Sequence, residues 1–194
     1  MKRRQFIRNA GAAVSIPMLL NGFRLSALSK PLLFNAINDE TPSIKTFELV
    51  DPEGLDLPVF TAGGHVDLTL PDGQVRQYSL CNAPAERQRY LLGVLRETNG
   101  RGGSRQMHER VAVGDLLQVS MPRNNFPLDG EATRHLLIAG GIGVTPLMAM
   151  AHRLRALGWT GPSPSELLRS EPRFSRRPDG EVTGTYRRDP HSLG

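Results

Sequence analysis

Between Ile44 and Met121 the chain is cut into runs too short and too alternating to be helices. They are "IKTFELV" (Ile44–Val50), "HVDLTL" (His65–Leu70), "VRQYSL" (Val75–Leu80), "RYLLGVLRE" (Arg89–Glu97) and "LLQVSM" (Leu116–Met121). β-Branched and aromatic residues dominate them, and turn residues separate them, which is the pattern of strands. Asp72-Gly73 sits between two alternating runs and predicts a tight hairpin, because glycine accepts the positive φ required. Strands this short and this closely spaced predict a mainly β fold over residues 31–130, an antiparallel barrel or sandwich. One helix is expected to interrupt it, from Ser104 to about Val111.

The flanks differ in character. "HLLIAGG", from His135, is continuously apolar and reads as a strand buried on both faces. Thr145 then fits a helix N-cap and Pro146 the first helical position. "PLMAMAHRLRAL" carries apolar residues at helical spacing. Residues 134–157 thus read as the first strand, turn and helix of an α/β nucleotide-binding domain. Only 37 residues (194 − 157) follow Leu157, and a doubly wound domain needs several more βα units, so that domain is expected to be incomplete. Residues 158–194 are rich in Gly, Pro, Ser and Arg without a lasting period. Disorder is expected there, and the composition fits a shifted reading of GC-rich DNA, a non-native tail. Residues 1–30 have a basic start and an apolar run from Ala10 to Leu20, the layout of an export signal. "KRRQFIR" resembles the twin-arginine class; a short amphipathic helix is the plainer alternative.

Charge and cysteine content narrow the function classes. The net charge of +5 is concentrated at the two ends, in Lys2, Arg3, Arg4 and Arg8 and in Arg169, Arg173, Arg176, Arg177, Arg187 and Arg188. The middle is close to neutral and has no basic stripe interleaved with aromatics, which argues against nucleic-acid binding. Cys81 is the single cysteine, so neither an intrachain disulfide nor a four-cysteine metal or iron–sulfur site can form. The five histidines show no metal-ligand spacing, and no metal site is expected. No apolar run reaches the roughly 18 residues of a transmembrane helix.

Three stretches could carry chemistry. "RQYSL" places Arg76, Tyr78 and Leu80 on one face of a strand and Gln77 and Ser79 on the other. A cation, an aromatic face and a hydroxyl together suit a planar ligand with an anionic tail, although a half-exposed strand carries Arg and Tyr without any ligand. "GRGGSRQMHE" (Gly100–Glu109) puts glycines before a helix that Ser104 would cap. Free N–H groups at a helix start favour an anion; the plain alternative is a loop and a capped helix. His108 lies close enough to be weighed as a further phosphate contact. "GGIGVTP" opens the later helix and could meet a pyrophosphate, although Pro146 stands where a full G-x-G-x-x-G would have its last glycine. Cys81 reads as a packed thiol and His65 as structural.

In this order, R-x-Y-S on a strand, Gly-Gly-Ser at a helix start, "PRNNFPL", then "IAGGIGVTP", the chain resembles the ferredoxin reductase-like flavoproteins. The similarity is to their phthalate dioxygenase reductase and vanillate demethylase reductase branch, over about Pro31 to Leu157. The resemblance implies a six-stranded antiparallel barrel holding FMN. Arg76 with Gly102, Gly103 and Ser104 would hold its phosphate. Tyr78 and Ser79 would lie against the isoalloxazine, with Ser79 near the reactive ring nitrogen as the catalytic residue. Val94 and Leu95 would back the ring or ribityl chain. Gly140, Gly141, Gly143, Thr145 and Pro146 would belong to the nicotinamide side.

The resemblance also implies the reaction. NADH gives a hydride to the flavin, which passes single electrons through a plant-type [2Fe-2S] domain to an oxygenase or ferredoxin partner. This sequence departs from that pattern: the later cysteine–glycine motif near the nicotinamide and the cluster cysteines are missing. The expectation is a truncated reductase component of a Rieske-type aromatic oxygenase, placed in the cytoplasm where NADH is. A non-catalytic flavin-binding fragment is the second reading. A protein exported by the twin-arginine route or held at a membrane, with no redox role, is the third.

Overall fold

The computed structural model describes residues 29–132 and 135–158, together with the backbone of residues 170–176 and 182–188. The expected leader lies, apart from Ser29 and Lys30, outside the described residues.

Six antiparallel strands form the main sheet. They are β1 (Ser29–Thr41), β2 (Ile44–Val50), β3 (His65–Thr69), β4 (Val75–Ser79), β5 (Tyr90–Leu95) and β6 (Leu116–Ser120). Their order is β4-β3-β6-β1-β2-β5. The five runs predicted as strands all form strands, within one or two residues at each end. β1, at the centre of the sheet, begins two residues before the expected domain start. Its sequence, "SKPLLFNAINDET", alternates poorly, because register shifts at Phe34/Ala36 and Asp39/Thr41 break the period by which a strand is recognised.

The apolar faces of these strands make one core. In β3, Val66 and Leu68 are buried while His65, Asp67 and Thr69 are half-buried, the alternation of a one-sided strand. Phe34 and Phe47 meet edge to face with centroids 6.0 Å apart, at the heart of a cluster that includes Leu49, Leu80 and Leu92.

The two edge strands, β4 and β5, turn towards each other and close the sheet at one end only. A single bridge joins Leu80 to Leu92, and the Cys81 N–H donates to the Leu91 carbonyl at 2.8 Å. Asn82, fully buried, staples this end: its Oδ1 accepts from Leu91 N–H and its Nδ2 donates to the Arg89 carbonyl, both at 3.0 Å. Beyond this staple the strands part, and a cleft opens between them.

Four local expectations are corrected. Helix α1 spans Gly103–Glu109 and is preceded by Gly102 at φ 87°, with no side-chain cap, so Ser104 is inside the helix and does not cap it. Helix α2 spans Val144–Ala156 after a 3-10 turn at Gly141–Gly143, so Gly143 takes the cap position. Thr145 instead donates from Oγ1 to the Ile142 carbonyl at 3.0 Å, and Pro146 falls two residues into the helix. His135–Ala139 forms no strand and belongs to no sheet, with Leu136 and Ile138 exposed. A strand buried on both faces needs parallel neighbours, and none occurs among the described residues. Within the tail expected to be disordered, β7 (Ser170–Arg176) and β8 (Val182–Arg188) pair as a separate two-stranded sheet.

Candidate functional site

The cleft between the parted strands has a volume of about 300 Å3. From β4 it is lined by Arg76, Gln77, Tyr78 and Ser79, and from β5 by Gly93, Val94 and Leu95. Glu97, Arg101, Gly103 and Ser104 form the α1 end, and Ile142 and Thr145 approach from the start of α2. Eight of the residues singled out from the sequence therefore meet in one place.

Main-chain polarity makes this cleft unusual. Leu70 N–H bonds the Gln74 carbonyl and Leu80 N–H bonds the Gly64 carbonyl, which fixes the antiparallel alternation of β4 against β3. Arg76, Tyr78 and Leu80 then bond towards β3, and the N–H and C=O groups of Gln77 and Ser79 point away, into the cleft. By the same logic, Arg96 N–H bonds the Ser43 carbonyl and Cys81 N–H bonds the Leu91 carbonyl, so Gly93 and Leu95 face β4. Beyond the Leu80–Leu92 bridge, which joins the strands as far as Ser79 and Gly93, the two strand edges confront one another across the cleft. Strand edges of this kind call for a partner.

Arg76 supplies the charge. Its Nη1 donates to the Val75 carbonyl at 2.9 Å and its Nη2 to the Gln74 side-chain carbonyl. Among the described residues no carboxylate lies within ion-pair distance of it. Gly103 leaves room for this side chain: a Cβ at this position would come within 2.7 Å of Arg76 Nε and push it aside. The Arg76 side chain packs against the start of α1. Ser104 Oγ accepts from Glu97 N–H at 3.1 Å, which leaves its proton available to donate. α1 is only seven residues long, so the Arg76 charge, not a long helix dipole, is the dominant attraction for an anion. Burial pushes the Tyr78 hydroxyl up to about 12, so this ring stays neutral.

The remaining expected residues fall elsewhere. Gly102 lies behind the cleft as the backbone cap of α1. Gly140, Gly141 and Gly143 do not line it; a Cβ on any of them would meet nothing within 4 Å, so internal packing does not require these glycines, although Gly141 has φ 54°. Pro146 lines a second cleft, of about 240 Å3, together with Gly63, His65, Gln77, Ser79, Asn125 and Phe126. Ser79 and Gln77 border both clefts. His65, read as structural, sits opposite Ser79 across the β3–β4 pair, with its Nε2 buried and unpartnered. His108 does not face the phosphate region: its Nε2 contacts the Val94 carbonyl at 2.9 Å, and its ring packs edge-on to Phe47. Cys81 is a packed thiol, buried and pushed up to about 12. The sequence reading missed Gln77, Gly93, Glu97, Arg101 and Ile142. Gln77, Arg101 and Ile142 lay inside stretches already singled out; Gly93 and Glu97 left no signal.

No family model matches the chain. The chain is 59% identical over 115 residues to the reductase subunit of the tert-butanol monooxygenase / tert-amyl alcohol desaturase of Aquincola tertiaricarbonis, covering 59% of this chain and 34% of that one. It is 56% identical over 119 residues to the vanillate O-demethylase oxidoreductase of Pseudomonas putida, covering 61% and 38%. A solved phthalate dioxygenase reductase, a modular structure for electron transfer from pyridine nucleotides to [2Fe-2S], superposes with a TM-score of 0.66 at 45% identity, covering 67% of this chain and 40% of that one. Over these residues the chain is similar to ferredoxin reductase-like proteins of the oxygenase-reductase branch. It spans about two fifths or less of the length of these reductases. No helix among the described residues is long and apolar enough to cross a membrane.

Proposed function

We propose that the cleft between β4 and β5 binds FMN, and that the chain carries the flavin module of an NADH-dependent reductase that feeds electrons to an oxygenase or ferredoxin partner. One observation supports this most: two strand edges that part beyond a single bridge, an aromatic face and an un-neutralised guanidinium converge on one cleft of cofactor size. Pockets for small-molecule cofactors run from about 300 to 1,000 Å3. A planar ring with polar edges fits between strands that each offer N–H and C=O groups. Its monophosphate would be held by Arg76, in the forked geometry that lysine lacks, with the Ser104 hydroxyl and the backbone at Gly102 and Gly103. Arg101 adds a second cation at the mouth.

When bound, the flavin supplies hydride acceptance and one-electron release; the protein supplies position and electrostatics. Tyr78 offers its neutral ring as a packing face, and Val94 and Leu95 exclude water from the opposite side. Ser79 is the catalytic residue of this reading, with a hydroxyl that can donate to a ring nitrogen. The nicotinamide cofactor would approach past Gly140, Gly141, Gly143, Thr145 and Pro146, whose open surroundings allow a phosphate close to the main chain. The second cleft, where Pro146 meets Ser79, gives that approach a route. The need for NADH places the activity in the cytoplasm.

Purification tests the first half of this reading. The chain should be yellow, or become so with added FMN, and release FMN on denaturation; a colourless protein that takes up no FMN would defeat it. Anaerobic mixing with NADH tests the second half. Bleaching of the flavin band at a catalytically useful rate requires hydride transfer. Bound flavin that stays oxidised would leave a binding module without the reductase step.

A further inference from the structure

Arg76 is not held by an acid. Its Nη2 donates to Gln74 Oε1. The other end of the same amide, Gln74 Nε2, donates to Asp72 Oδ2, and the Gln74 N–H donates to Asp72 Oδ1 at 2.9 Å. Asp72 Oδ2 also accepts from Gln106 Nε2, 34 residues away on α1. A relay thus runs from the helix, through the β3–β4 hairpin turn, to the guanidinium. The neutral amide of Gln74 stands between the carboxylate and the cation, so Arg76 is oriented without being neutralised.

Gln106 itself makes sense only within this relay. It is 8% exposed, and its Oε1 is buried with no partner. A half-satisfied buried amide is a stability cost, which an apolar side chain of similar size would avoid. What the amide secures is the Asp72 carboxylate, and through it the tip of the hairpin.

We propose that Gln106, Asp72 and Gln74 form a positioning relay that presets Arg76 for the cofactor phosphate while leaving its charge free. This rests on the flavin reading above. Loss of the relay frees a long side chain that must be ordered again on binding, which should weaken the complex by roughly three- to tenfold. The loss should be confined to ligands that carry the phosphate.

The test titrates the full chain, stripped of flavin, with FMN and with riboflavin, which has the same ring and no phosphate. Gln106→Leu should bind FMN several-fold more weakly and riboflavin as before, while its melting temperature holds or rises. Gln74→Glu, which would pair with Arg76 and cancel its charge, should show the same selective loss. In an Arg76→Ala background, Gln106→Leu should change FMN binding no further, since it acts only through that guanidinium. Equal losses for FMN and riboflavin, unchanged FMN binding, or additive effects with Arg76→Ala would each overturn the relay and leave the flavin site standing. A wild-type chain that binds neither flavin would overturn the flavin reading and the relay together.

Discussion

Arg76 concentrates most of what a single residue contributes to the proposed site. Its charge has no acidic partner among the described residues, so an arriving phosphate gains the full charge-assisted contact. Arg76→Ala should weaken FMN by about 1.5–3 kcal/mol, read by quenching of FMN fluorescence, with riboflavin affinity unchanged; equal loss of both ligands would place Arg76 outside the phosphate site. Gly103→Ala probes the same contact from the other side. Alanine favours a helix over glycine by about 1 kcal/mol, yet its Cβ would stand 2.7 Å from Arg76 Nε. FMN affinity should fall while thermal stability holds or rises. Cys81 offers a control. Its buried thiol, pushed up to about 12, should resist alkylation at pH 8 until the chain is unfolded, and rapid labelling of the native protein would contradict the packing around it.

Among the elements, β2 to β6 were legible because each carries its own alternation and its own turn residues. β1 was not, because its bulges spread its buried positions over an irregular period. The cleft was legible as residues but not as a shape: nothing in "RQYSL" or "YLLGVL" says that those two strands pair at Leu80 and Leu92 and separate beyond. That depends on Asn82 and on the register of strands distant in sequence. Thr145 and Ser104 were misassigned as caps because a cap depends on one residue's dihedrals, which neighbouring hydroxyls do not reveal. The closing contacts of β3 give an element-scale prediction. Gly63 has φ 90°, and a Cβ there would lie 1.9 Å from the Phe126 carbonyl oxygen. Gly63→Ala should lower unfolding free energy by at least about 2 kcal/mol in urea denaturation, through loss of the contact between the β3 entry and the segment after β6. A second element-scale test uses Glu48 on β2. The Arg89 guanidinium at 2.8 Å holds its carboxyl below the ordinary range. A depressed carboxyl pKa stabilises the folded state above the unfolded pKa, and that contribution is lost as pH falls through the folded value. Wild type should therefore lose more stability than Glu48→Gln on acidification below about pH 5, by no more than about 1 kcal/mol for a pair this exposed.

At the scale of the molecule, the barrel and the segment that follows it are finished to different degrees. The barrel buries its apolar faces in one core, beside the cleft between β4 and β5. The helix after it joins that core through Leu147, Met148 and Met150, but His135–Ala139 forms no strand, and Leu136 is 69% and Ile138 54% exposed. An exposed apolar segment of this kind favours association with another chain. The full chain should self-associate as its concentration rises, seen as a growing mass in light scattering. Replacing Leu136 and Ile138 together with Lys should reverse this, since charge on the segment opposes apolar association. The same double variant should bind FMN as the wild type does, because neither side chain lines the cleft. A wild-type chain that stays a monodisperse monomer would show that the segment is covered, and a double variant that loses flavin would show that the segment supports the site, in which case barrel and segment are one energetic unit.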